Sequence, residues 1–70
     1  MKVKLKPETV ERILAKRNRP RKWLIARLDT TSGYLSQLMS GTRYPSPELR
    51  QKIMVALKIR DFDELFSIKR

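Results

Sequence analysis

Apolar residues recur along this chain at intervals of three and four, with charged or small polar residues between them. From Pro7 onward, Val10, Ile13 and Leu14 fall on one helical face while Glu11, Arg12 and Lys16 fall on the other. Proline suits the first position of a helix, where its missing N–H would have had no partner, and Asn18 supplies a stop. Pro20 permits a restart, and Leu24, Ile25 and Leu28 make a second, shorter stripe. The stretch Asp29-Thr30-Thr31-Ser32 holds residues that favour turns and caps. Thr30 or Thr31 caps a third helix, about Thr31 to Ser40, in which Leu35, Leu38 and Met39 face inward. Gly41 ends it in the left-handed conformation.

Ser46 and Pro47 are a strong N-cap and first-position pair. Behind them Leu49, Ile53, Ala56 and Leu57 give the clearest helical periodicity in the chain. Asp61 opens a fifth element, with Glu64 as its capping-box partner and Phe62, Leu65 and Phe66 as its apolar face. No alternating strand pattern is read, nor any repeat or low-complexity tail. The prediction is an all-α fold, a compact bundle of about five short helices forming a single domain over residues 1–70, with residues 1–6 as a basic N-terminal arm.

Charge changes the picture most. Seventeen Lys and Arg against seven Asp and Glu give a net charge of +10, enough to attract polyanions from a distance. Ten of the basic residues lie within residues 1–27, densest in Lys-Arg-Asn-Arg-Pro-Arg-Lys from Lys16 to Lys22. By contrast Thr30 to Thr42 has no charged side chain at all. With no cysteine and no histidine, thiolate metal sites, disulfides and histidine-dependent catalysis lose their usual groups. No nucleophile–base pair and no phosphate-cradling glycine loop is present, so neither an enzyme nor a cofactor is expected. The first fifteen residues contain no long apolar run, which predicts neither a signal peptide nor a membrane span, and hence a cytosolic location.

Most conspicuous side chains have plain readings. Trp23, beside Leu24 and Ile25, buries area. The carboxylates of Asp61-Phe62-Asp63-Glu64 are explained by a helix cap rather than by a hard cation, because no oxygen-rich loop surrounds them.

The stretch WLIARLDTTSGYLSQLMSGTRYPSPELRQKI resembles the Cro/CI-type (Xre-like) helix-turn-helix family, the lambda-repressor-like DNA-binding domains. The resemblance rests on Leu24 and Leu28 before the turn, Leu35 and Leu38 after it, Gly41 closing the helix, and Pro45-Ser46-Pro47 ahead of the fourth helix. It covers about Pro7 to Phe66. Two positions depart from the family. Ile25 stands where a small residue is usual, which implies a wider crossing or room made by Ala26 or Gly33. Asp29 stands where Gly is usual, at a turn that needs positive φ, a conformation Asp tolerates better than most residues.

The resemblance implies a helix-turn-helix over about residues 21–40, whose second helix enters the major groove while the first crosses the backbone. Thr31, Ser32, Gly33, Tyr34 and Gln37 are then the base-contact candidates. Short side chains at the helix start permit close approach, hydroxyls bond several base edges, and Gln37 can pair bidentately with adenine. Gly33 either provides clearance from DNA or packs closely to accommodate Ile25. Phosphate contacts are expected from Arg21 and Lys22 on one side and from Ser36, Ser40, Thr42 and Arg43 on the other. The expected function is a sequence-specific double-stranded DNA-binding regulator, a repressor in the bacterial cytosol or nucleoid or in a phage, on a palindromic operator. A homodimer would use Leu65, Phe66 and Ile68, and a monomer that binds cooperatively only on DNA is equally open. The alternatives are an antitoxin-like protein-interaction module, marked by exposed apolar surface on helix five, and a basic RNA-binding protein, for which only Tyr34 and Tyr44 offer stacking.

Overall fold

The computed structural model describes residues 1–70. It is mostly helical, with the order β1 (Lys2–Leu5), α1 (Pro7–Lys16), α2 (Arg21–Leu28), α3 (Ser32–Ser40), α4 (Pro47–Leu57), α5 (Phe62–Leu65) and β2 (Phe66–Lys69). Helix starts and stops follow local chemistry. Pro7 opens α1 and Pro47 opens α4. The Thr31 hydroxyl accepts from the Tyr34 N–H at 3.1 Å, and the Ser46 hydroxyl accepts from the Leu49 N–H at 3.2 Å, so both helices have a side-chain cap. The chain turns through left-handed residues after each of the four long helices, at Asn18 (φ 55°), Asp29 (φ 53°), Gly41 (φ 82°) and Lys58 (φ 55°). Asp61 caps α5 by accepting from the Asp63 N–H at 3.0 Å, while Glu64 bonds Asp61 through its backbone N–H only.

One apolar cluster fills the interior. It joins Val10, Ile13 and Leu14 of α1, Leu24 and Leu28 of α2, and Leu35, Leu38 and Met39 of α3 to Ile53, Ala56 and Leu57 of α4, with Leu5, Leu65 and Phe66 from the chain ends. Helix α2 packs on both α3 and α4. Trp23 is half-buried against the cluster, with the Arg19 and Arg27 guanidiniums 5.3 and 5.4 Å from its ring centre.

The all-α expectation needs correction at both ends. Residues 2–5 and 66–69 form a two-stranded antiparallel sheet, in register Lys2 with Lys69, Val3 with Ile68, Lys4 with Ser67 and Leu5 with Phe66. Residues 1–6 are therefore no loose arm. Lys-Val-Lys-Leu does alternate, and pairing the two strands lets Leu5 and Phe66 seal the core from below while the lysines remain on the other face. The fifth helix is correspondingly a single turn that ends at Leu65, because Phe66 is already extended (φ −130°, ψ 152°).

The dimer surface expected there is also corrected. Leu65 and Phe66 are 0% and 1% exposed, and only Ile68 of that trio reaches solvent. Burying such side chains stabilises the fold by about 1.5–3 kcal/mol each, so exposing them for a partner would sacrifice core. No helix is long and apolar enough to cross a membrane.

Candidate nucleic-acid interface

Helix α3 divides cleanly into two faces. Leu35, Leu38 and Met39 are buried, whereas Thr31, Ser32, Gly33, Ser36, Gln37 and Ser40 are exposed and Tyr34 is half-exposed. The exposed face is uncharged and made of short side chains, apart from Tyr34 and Gln37. At Gly33 an added Cβ would meet no heavy atom within 4 Å. Gly33 therefore makes no room for Ile25, and the close-packing reading fails. Nor does Ala26, which is exposed, while Ile25 itself is half-buried against the core.

The two ends of this face differ in how firmly they are held. At the N-terminal end only the Thr31 cap is engaged. At the C-terminal end the left-handed Gly41 reverses the chain, and the Thr42 and Arg43 N–H groups both donate to the Gln37 carbonyl at 3.0 and 3.2 Å. That reversal returns Arg43 to the helix it has just left. Its Nε donates to Gln37 Oε1 at 2.6 Å, and its guanidinium lies 5.8 Å from the Tyr34 ring centre. The Ser40 hydroxyl donates to the Gln37 carbonyl at 3.2 Å and lies 2.8 Å from the Thr42 hydroxyl. Tyr34, Gln37, Ser40, Thr42 and Arg43 are thus brought together, and Ser36 stands exposed on the intervening turn.

The cations are disposed less simply than the dense run from Lys16 to Lys22 suggests. Arg17 Nη2 donates to the Leu57 carbonyl at 3.1 Å and so satisfies the end of α4. Arg19 covers Trp23. Arg21 is paired with Glu11, its Nε donating to Oε1 at 2.8 Å and its Nη2 bonded to the same oxygen. Much of the run therefore stabilises the fold, whereas Lys22, at the start of α2, is exposed and without an ion pair.

Two lysines of β1 reach the far margin instead. Lys4 crosses Gly41 so closely that its Cε lies 2.8 Å from where a Cβ would stand, and Lys2 Nζ is 5.4 Å from the Tyr44 ring centre. Sequence reasoning placed them on an arm. Their lysine-apolar alternation was the signal that would have put them on a strand face beside the loop from Gly41 to Tyr44.

No group of three or more His, Cys, Asp or Glu side chains converges anywhere. No protein-family model, curated protein or solved structure matches the chain.

Proposed function

We propose that this chain binds double-stranded DNA sequence-specifically, as a transcriptional regulator of the helix-turn-helix type, and that it acts by repression rather than by catalysis. In this reading α2 and α3 are the motif, and α3 lies in the major groove with Thr31, Ser32, Tyr34 and Gln37 toward base edges and Gly33 giving clearance. Lys22 and Arg21 approach the phosphates on one side. Ser36, Ser40 and Thr42 approach them on the other, with Lys2 and Lys4 behind.

The observation that carries this reading is the uncharged, low-profile face of α3, backed by core residues and bordered at its C-terminal end by Arg43 and Lys4. Base contacts specify and phosphate contacts position, so a neutral face beside a charged margin suits a sequence reader. A purely electrostatic polyanion binder would have no use for a neutral face. Size is also compatible with paired half-sites. The molecule measures 34 × 24 × 20 Å, so two copies fit side by side on half-sites about 34–36 Å apart, one helical turn of DNA. The rival reading, a protein-docking module, drew on apolar surface at α5, and Leu65 and Phe66 are buried.

Selection from random duplexes at physiological salt, with and without excess non-specific DNA, tests the proposal. An enriched word is the expected result, and a palindrome would give the stoichiometry as well. Uniform recovery of all sequences would refute it.

A further inference from the structure

The Gln37–Arg43 pair constrains what α3 reads. An arginine side chain has donors and no acceptor. The Gln37 amide atom facing Arg43 Nε must therefore be the oxygen, which fixes the way the amide points. Its NH2 group has no partner within the molecule, and the Arg43 guanidinium has no other hydrogen bond, so its remaining N–H groups are free as well. Tyr34 beneath the guanidinium and the double backbone bond to the Gln37 carbonyl hold Arg43 in this position.

A free glutamine recognises adenine by accepting from its N6 amino group while donating to N7. Here the acceptor is already engaged by a cation. An adenine amino group approaching Oε1 would also be brought against the positive guanidinium. Guanine instead offers two acceptors, N7 and O6, which suit a surface that presents only N–H groups.

We propose that Arg43 is a specificity-determining residue, which turns Gln37 into a donor and makes the pair read guanine rather than adenine. This rests on the DNA-reading proposal above and goes beyond it by naming the base and by giving Arg43 a role other than gripping a phosphate. A phosphate that drew Arg43 away would release Gln37 and restore adenine reading, so the two roles predict different bases.

The test is duplex selection with the wild type, Gln37→Ala, Arg43→Ala and Arg43→Lys, followed by affinities on duplexes that differ only at the position Gln37→Ala makes indifferent. The wild type should favour guanine there by roughly tenfold. Arg43→Ala should move the preference toward adenine, and Arg43→Lys should do the same while retaining most of the salt dependence. In the free protein, the Gln37 side-chain amide NMR signals should shift in Arg43→Ala.

Adenine preferred by the wild type, or an Arg43→Ala variant that weakens every sequence equally, overturns this inference and leaves DNA reading intact. Unmoved amide signals overturn it too. A wild type with no preferred word removes the DNA reading, and this inference with it.

Discussion

The two ends of α3 solve different problems. The N-terminal end is open, with Thr31 as a cap, Ser32 exposed and empty space above Gly33. The C-terminal end is braced, with Gly41 overlaid by Lys4 and Gln37 tied to Arg43 and Tyr34. In the proposed DNA complex, an open surface would leave hydroxyls free to choose among base edges, whereas a braced one would present its hydrogen-bonding groups already oriented and lose less side-chain entropy on binding. The helix therefore combines an adaptable end with an exacting one, and substitutions at the two ends should fail in different ways.

The largest expected effect is at the braced end. Gly41→Val would put a β-branched side chain at φ 82° and against Lys4 Cε, and should destabilise the fold by roughly 1–3 kcal/mol. Urea unfolding checks this, and an unchanged midpoint would show that the reversal at Gly41 is not under constraint. At the open end, Thr31→Ala should cost about 1 kcal/mol through loss of the cap, lowering the melting temperature of so small a domain by about 4–8 °C. Thr31→Ser should restore most of that stability, and equal losses in both variants would mean that the methyl group, not the hydroxyl, matters.

Charge effects come next. Arg21→Ala should weaken binding to all duplexes alike and lower the salt slope by about one unit. Glu11→Ala releases Arg21 from its partner and should instead strengthen binding at low salt. A slope that ignores both changes would leave Arg21 as a structural ion pair alone. The smallest change in stability is expected for Gly33→Gln, within about 0.5 kcal/mol as for an unencumbered surface site. The same variant should alter or abolish the selected DNA word, and failure to fold would contradict the open space observed there.

Local chemistry made much of the helical frame legible. Pro7, Ser46-Pro47 and Gly41 act within one turn of themselves, and the apolar stripes of α1 to α4 required no knowledge of what they pack against. The sheet could not be read in the same way. Each strand is four residues long, the partners lie at opposite ends of the chain, and Phe66 satisfies a helical triad with Phe62 and Leu65 as well as an alternation with Ile68. Only the presence of β1 decides between these, since pairing Leu5 with Phe66 closes the core. At α3, the exposed face follows from its buried complement, Leu35 and Leu38. The Gln37–Arg43 bond does not, because it depends on the chain reversal and on the rotamers of two exposed side chains. The density of the run from Lys16 to Lys22 was misleading for a related reason, as charge counting cannot distinguish a cation that meets solvent from one that meets a carbonyl, an indole or a carboxylate.

Trp23, the sole tryptophan, sits outside α3 with two guanidiniums over its ring. Its fluorescence is therefore an internal gauge of integrity. Unfolding strips away both cations and wets the indole, whereas edits to the exposed face of α3 leave its surroundings alone, so one cuvette can report whether a variant that no longer binds has melted or has merely lost its contacts.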